Sequence, residues 1–162
     1  MRATIVLILL LFGGGLSHSQ TNTHDALGQK VLTAFETGNY NLFRQSIMSK
    51  SCYLKKFEEA NKNKMPAERL RSILDWYRKN YDRMIRMTYL PEFQRISNKF
   101  QRTNSRSKGL KCILLEPDTP TPLKGEKILR VTIDHEVYSY VYFMAVRCSE
   151  GWYISAASFR LG

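Results

Sequence analysis

The residues that could do chemistry are concentrated in one short stretch near the end of the chain. They are Asp134, His135, Glu136, Tyr138, Tyr140 and Tyr142. A carboxylate base facing a tyrosine in a dry cavity could remove a proton next to a carbonyl group, and the tyrosine would stabilise the oxyanion that forms. The competing interpretation is that the three titratable residues form an ordinary polar turn. The tyrosines would then line a binding pocket or belong to a core that contains tyrosine.

The sequence around these residues has the period of a pleated sheet. Side chains alternate between two sides from Val137 to Arg147, and we predict further strands over Lys127 to Asp134 and Trp152 to Phe159. A fourth strand is predicted over Leu110 to Leu115, before a stiff connector with three prolines. Glycine at Gly151 permits a tight turn before the last strand.

A two-residue turn at His135 and Glu136 would fix the register of the first hairpin. The expected pairs are Ile133 with Tyr138, Val131 with Tyr140, and Leu129 with Tyr142. Directly opposite residues share one face of a sheet, so we expect this aromatic face to be the inward one. The outward face would carry Arg130, Thr132 and Ser139.

The first half of the chain has a helical period instead. Thr23 or Asp25 can cap a first helix, and Gly38 can end it. The longest apolar stripe belongs to a later helix, and its members are Leu70, Ile73, Leu74, Tyr77, Tyr81, Met84 and Ile85. We expect Pro91 to end or kink that helix, and the pattern from Phe93 to Phe100 fits either another short helix or a strand. Helices followed by strands predict an α+β fold.

Residues 1–19 resemble an export signal. A lone arginine precedes an apolar run from Ile5 to Phe12, followed by glycines and by small residues at Ser17 and Ser19. Eight apolar residues are too short to cross a bilayer as a helix. We therefore predict a signal peptide cleaved near Ser19, no transmembrane segment, and a single secreted or periplasmic domain over residues 20–162.

The three cysteines cannot all pair within one chain. Cys112 and Cys148 lie on predicted strands, whereas Cys52 lies in the helical half, so Cys112 and Cys148 are the predicted couple. Free, buried thiols are the alternative. The spacing of these cysteines with His24 and His135 matches no metal motif, and neither a metal nor a cofactor is expected.

The net charge of +11 is placed unevenly. Of the 25 lysines and arginines, 18 lie between Arg44 and Lys111, together with only 6 of the 14 acidic residues. The candidates for a basic face are Lys55, Lys56, Arg78, Lys79, Arg83 and Arg86. Such a face would attract a polyanion, unless these charges are simply the solvated sides of amphipathic helices.

The order of elements, together with two short phrases, carries a resemblance to a known family. The phrases are Gly38-Asn39-Tyr40 after the first helix and Gly151-Trp152-Tyr153-Ile154 in the closing hairpin. The chain resembles the nuclear transport factor 2-like superfamily, also called the cystatin-like or ketosteroid-isomerase-like cone. The resemblance implies N-terminal helices packed in a curved antiparallel sheet, a cone-shaped α+β barrel that is frequently dimeric and often contains a cavity. Members include enzymes, binders and scaffolds, so the fold does not fix the function.

The leading functional hypothesis is an exported, non-enzymatic domain that binds a small ligand or a partner protein. Binding would use the cone pocket or the basic helical side, and no catalytic residue is assigned. The pocket candidates are Tyr138, Tyr140, Tyr142, Tyr77 and Tyr81. The alternatives are an isomerase- or dehydratase-like enzyme of the same fold and a polyanion-binding surface module. A homodimer is compatible with each of the three.

Overall fold

The computed structural model describes residues 23–103 and 106–162 as helices followed by an antiparallel sheet, which confirms the α+β prediction. The helices are α1 (His24–Thr37), α2 (Tyr40–Arg44), α3 (Lys50–Asn61) and α4 (Ala67–Gln101). The strands are β1 (Lys108–Leu115), β2 (Glu126–Asp134), β3 (Tyr140–Cys148) and β4 (Gly151–Leu161). The predicted signal peptide lies outside the described residues. Across the described residues, no helix combines the length and the apolar character that a membrane span requires.

Helix α1 begins and ends at the residues that its sequence indicates. The hydroxyl of Thr23 accepts a hydrogen bond from the backbone N–H of Ala26 at 3.1 Å, which satisfies one of the free donors of the first turn. Gly38 ends the helix with a φ of 66°, a left-handed conformation that side-chain-bearing residues rarely adopt. The capping prediction is confirmed at both ends.

Helix α4 is longer than the sequence predicted, because it continues through Pro91 to Gln101. We expected Pro91 to end or kink this helix, but the helix does not end there. The residues from Phe93 to Phe100 belong to α4 and do not form a separate helix or strand. Pro91 is exposed, and so is Met87, whose carbonyl is left without its helical partner. The buried stripe continues past the proline with Phe93, Ile96 and Phe100, which pack into the core.

The four strands form a meander in the order β1-β2-β3-β4, with β1 and β4 at the edges, so the sheet is not closed. Helices α1 and α4 pack against one face. The side chains that this face buries are aliphatic or phenylalanine, and on β2 and β3 they are Leu129, Val131, Ile133, Val141, Phe143 and Ala145. The core between helices and sheet also contains the stacked rings of Phe35, Phe93 and Phe100.

The register between β2 and β3 differs by one residue from the predicted one. Tyr140 lies opposite Thr132, and Tyr142 lies opposite Arg130. The turn is longer than two residues, and the carbonyl of Ser139 accepts a hydrogen bond from the N–H of Ile133 at 2.9 Å. A one-residue slip moves every side chain to the other face. The prediction that Tyr140 and Tyr142 face inward is therefore wrong, and the helix-covered face is aliphatic instead.

The disulfide also corrects the prediction. Cys148, at the end of β3, is bonded to Cys52 on α3, and Cys112 is a free, buried thiol. Cys112 lies on β1 opposite Val131 of β2, so an entire strand separates it from β3. Directly bonded cysteines must lie within a few ångströms of one another, which that separation prevents.

Candidate functional site

A concavity lies on the face of the sheet that the helices leave uncovered. It is a groove of about 620 Å³, which we call the open-face groove. Its floor consists of outward-facing strand residues, and those used below are Ile128, Tyr140, Tyr142 and Met144. Arg160 and Ser158 of the edge strand β4 form one side, and the connector between β1 and β2 forms the other.

A row of four side chains crosses the sheet beside this floor. Ile113, Arg130, Tyr142 and Arg160 are directly opposite one another on β1, β2, β3 and β4. Neighbouring strands are about 4.8 Å apart, so the two arginines flank Tyr142 at backbone positions about 10 Å from each other. Within the described part of the chain, Nε of Arg130 is buried and has no hydrogen-bond partner. The row therefore places positive charge on both sides of one aromatic ring.

Tyr140 and Tyr142 form a pair within the floor. Their ring centroids are 4.6 Å apart, and the ring planes are tilted by 55°. Both side chains are half-buried, so part of each ring packs against the protein and part is exposed to solvent. Together they offer an amphipathic surface with two hydroxyls, which suits a ligand that has a flat apolar region and polar edges.

The connector over residues 116–125 is held firmly against the sheet. Its proline residues restrict the backbone, and the hydroxyl of Thr121 donates to the carbonyl of Leu123 at 2.9 Å. The N–H of Leu123 in turn donates to the carboxylate of Glu126 at 3.2 Å, and the Leu123 side chain is buried. This anchoring fixes the wall of the groove, where Asp118 and Thr119 are exposed.

The groups that line the groove are suited to binding. They include tyrosine, serine and threonine hydroxyls, one guanidinium at Arg160 and one carboxylate at Asp118. Neither histidine nor cysteine is among the lining residues. The groove therefore has groups that orient a ligand, with an anion favoured at the arginine side.

The five tyrosines predicted as one pocket lie in three separate places. Tyr140 and Tyr142 belong to the open-face groove. Tyr138 packs at the rim of the core, where the centroid of its ring lies 5.2 Å from that of Phe100. Tyr77 and Tyr81 lie on α4 and face α3. The sequence indicated the right residue type but not a common location.

Tyr77 and Tyr81 take part in an aromatic cluster between α3 and α4. Tyr53 lies between them, with ring centroids 4.9 Å from Tyr77 and 5.5 Å from Tyr81. The hydroxyl of Tyr81 donates to the carbonyl of Met48 at 2.6 Å, inside the core. Burial raises the pKa of both Tyr53 and Tyr81. These phenols stay protonated at physiological pH, and the geometry gives them a structural role.

The segment from Asp134 to Glu136 forms part of a turn, as the non-catalytic interpretation predicted. Nδ1 of His135 accepts hydrogen bonds from the backbone N–H groups of Val137 at 3.1 Å and Tyr138 at 3.3 Å. Nε2 of the same ring therefore carries the proton and donates to the hydroxyl of Thr103 at 3.2 Å. Both ring nitrogens of His135 are used in shaping this turn.

The six residues predicted to form one basic face lie in different places. Lys55 and Lys56 lie beside the disulfide in a cleft of about 340 Å³ that also contains Glu59, Arg147 and Glu150. On α4, Arg78 forms an ion pair with Asp75. The remaining three are exposed on the outer side of α4, and they are Lys79, Arg83 and Arg86.

Metal binding finds no support in the part of the chain that the structure describes. It contains no group of three or more histidine, cysteine, aspartate or glutamate side chains placed to hold an ion.

Sequence reasoning missed the residues that complete the groove. Arg130 was placed correctly on the face opposite Val131, but that face was not considered a binding surface. Met144 was placed on the same side of its strand as the tyrosines but was not named as a pocket candidate, and Arg160 was not considered. The signal that could have found them is a polar or flexible side chain between two buried strand neighbours, such as Met144 between Phe143 and Ala145.

The structure is an α+β domain with a groove on the uncovered face of its sheet. No protein-family model matches the chain, and neither curated proteins nor solved structures gave a significant match.

Proposed function

We propose that this chain is an exported, non-enzymatic binding domain that holds a small ligand in the open-face groove. The observation that carries the proposal is the position of Tyr142 in the floor of the groove, directly opposite Arg160 of the groove wall on β4 and Arg130 on β2. The ligand has a flat ring that packs on the tyrosines and a carboxylate, phosphate or sulfate that meets Arg160, with the charge of Arg130 on the other side of Tyr142. Guanidinium groups bind such anions with directed, charge-assisted hydrogen bonds.

Export is supported by two independent features. The N-terminal sequence has the composition of a signal peptide, with small residues at Ser17 and Ser19. The disulfide between Cys52 and Cys148 belongs to an oxidising compartment, because cytosolic reductants keep such thiols reduced. A secreted or periplasmic location accounts for both.

The nuclear transport factor 2-like architecture is also part of the proposal. It is supported by the order of helices before a four-stranded meander and by the packing of α1 and α4 on a single face of that sheet. In this proposal the ligand does not enter between helices and sheet, where aromatic and aliphatic side chains such as Phe35 and Phe143 fill the space.

Native mass spectrometry of the purified exported protein tests the assignment. We expect a small-molecule adduct that the Tyr142→Ser, Arg160→Gln double variant loses. The control removes two positive charges elsewhere, one more than the groove variant, with Lys79→Gln and Arg86→Gln, and should retain the adduct. Both altered positions of the groove variant point away from the core, so the fold should survive, as circular dichroism can verify.

A ligand that dissociates during purification requires a second measurement. Thermal unfolding is recorded with benzoate, 4-hydroxybenzoate, indole-3-acetate and galacturonate as probes. Stabilisation by at least one probe, absent in the groove variant, is the expected result. An adduct or a probe that the groove variant still binds would contradict the proposal. A dimer mass that only the groove variant loses would assign the surface to a second copy of the chain instead.

A further inference from the structure

The outer side of α4 has a composition that the groove does not explain. Five exposed residues lie on it, and we call them the outer stripe: Trp76, Lys79, Arg83, Arg86 and Met87. An α-helix turns by about 100° per residue, which places all five within an arc of roughly 100°. This arc is opposite the buried positions of the same turns, Tyr81 and Ile85.

The positive charge of the outer stripe is not neutralised. Asp82 is the one acidic residue between Trp76 and Met87, and it pairs with Arg44 on α2 at 3.2 Å. Asp75, just before the stripe, pairs with Arg78. Among the residues that the structure describes, none of the three stripe cations has an ion-pair partner, and the undescribed residues contain no aspartate or glutamate.

Two large apolar side chains mark the ends of this charged run. Trp76 is 55% exposed and Met87 is 64% exposed, although most large apolar side chains of the described chain are covered. Met87 lies eleven positions after Trp76, which corresponds to about 16 Å along the helix axis. Trp76 and Met87 therefore project on the same side of α4, with Lys79 and Arg83 between them.

We infer that the outer stripe docks the domain on an anionic phospholipid bilayer, with α4 lying in the plane of the surface. Lysine and arginine attract acidic headgroups, and tryptophan partitions to the boundary between headgroups and acyl chains. A soluble polyanion would engage the cations but would leave Met87 in water. A bilayer accounts for the charges and for both apolar ends of the stripe.

The strength of binding should depend on the three cations. Each basic residue near an acidic leaflet increases the affinity by about five-fold, so reversing Lys79, Arg83 and Arg86 to glutamate lowers it by at least about 100-fold. A matched control reverses three exposed lysines elsewhere, with Lys62→Glu, Lys108→Glu and Lys124→Glu. This control has the same net charge as the stripe variant, and its affinity for the anionic bilayer should change by only a few-fold.

Binding is measured on the full chain by co-sedimentation with two kinds of vesicle. One contains phosphatidylglycerol mixed with phosphatidylcholine, and the other contains phosphatidylcholine alone. In a Trp152→Phe background, Trp76 is the single tryptophan and reports its own environment. We expect binding to the anionic vesicles only, a blue shift of Trp76 emission, and quenching by brominated lipid. If that background does not fold, the methyl NMR signal of Met87 in methionine-labelled protein should broaden with anionic lipid bicelles.

Three results would overturn the inference. Equal loss of affinity in the two triple variants would show that only net charge matters. Binding to heparin or DNA without any response of Trp76 or Met87 to lipid would assign the outer stripe to a soluble polyanion. Failure to bind either kind of vesicle would remove the bilayer altogether.

Discussion

Gly28 of α1 lies directly against the thiol of Cys112 on β1. A Cβ atom added at Gly28 would stand 2.4 Å from Sγ of Cys112 and 3.1 Å from a methyl group of Val131. The absence of a side chain at this position therefore sets how closely α1 can approach the sheet. Close approach of this kind is one of the few reasons for glycine inside a helix, where it otherwise costs stability.

Gly28→Ala should destabilise the protein by about 1 to 3 kcal/mol, because overpacking at the sulfur outweighs the gain in helix propensity. In a Cys112→Ala background the same substitution should cost much less, since the sulfur is gone. Urea unfolding of the two single variants and the double variant measures this coupling. Equal costs of Gly28→Ala in both backgrounds would show that the contact does not set the packing of α1.

The disulfide between Cys52 and Cys148 should be the main attachment of α3. That helix has no fully buried residue, and the bond closes a sequence separation of 96 residues. Cys52→Ser, Cys148→Ser and the double variant should each lose about 4.7 kcal/mol in the chain-entropy description. Amide hydrogen exchange should show that α3 loses protection first. Unchanged protection of α3 in the reduced protein would contradict this role.

The thiol of Cys112 should be inert in the folded protein. Burial raises its pKa to about 12, with a further contribution from the carboxylate of Asp25. Reaction requires the thiolate, so Ellman's reagent at about pH 8 should detect no thiol in the native chain. Unfolding without reductant should expose one thiol, and unfolding with reductant followed by desalting should expose three. Rapid reaction of the native protein would show that Cys112 is accessible.

Stability should decrease in acid partly through Glu92. Its carboxylate accepts hydrogen bonds from Arg95, whose guanidinium also donates to the carbonyl of Phe159 on β4 at 3.0 Å. The hydrogen bond from Arg95 lowers the pKa of Glu92. A pKa lowered in the folded state gives stability that is present above the unfolded pKa of about 4.3 and is lost as the pH falls through the folded value.

Glu92→Gln should therefore cost about 1 kcal/mol at neutral pH and progressively less in acid, as the unaltered chain also loses the interaction. Urea unfolding at a series of pH values measures the difference. Glu116→Gln is the control, because Glu116 pairs with Lys127 on the surface, where salt bridges contribute little. A Glu92→Gln effect that does not change with pH would indicate that the carboxylate charge is not involved.

The fold class was predictable because its signals are local. The capping hydroxyl of Thr23 and the left-handed Gly38 specify the ends of α1 without any information from the rest of the chain. The alternating pattern around Val141 and Phe143 likewise specifies a strand. The continuation of α4 through Pro91 was not predictable, since it depends on Phe93 finding a core to pack against.

The candidate site was not predictable, because it depends on register. The tyrosines were recognised as one side of a strand, but which side faces the helices follows from the length of the turn before Tyr140. A difference of one residue exchanges the inner and outer faces. The disulfide depends on tertiary placement in the same way, since the proximity of α3 to Cys148 is not encoded near either cysteine.

The central claim is that the open-face groove is the binding site, and Met144 offers a direct reporter. The chain has six methionines, of which Met144 lines the groove, Met48 is buried in the core and Met87 lies on α4. Methionine methyl groups are labelled with carbon-13 and assigned with the Met144→Leu and Met87→Leu variants. The spectrum is then titrated with whichever aromatic or sugar carboxylate stabilises the chain. We expect the Met144 signal to shift in a saturable manner while those of Met48 and Met87 stay in place. A saturable shift of Met48 or Met87 with Met144 unchanged would contradict it.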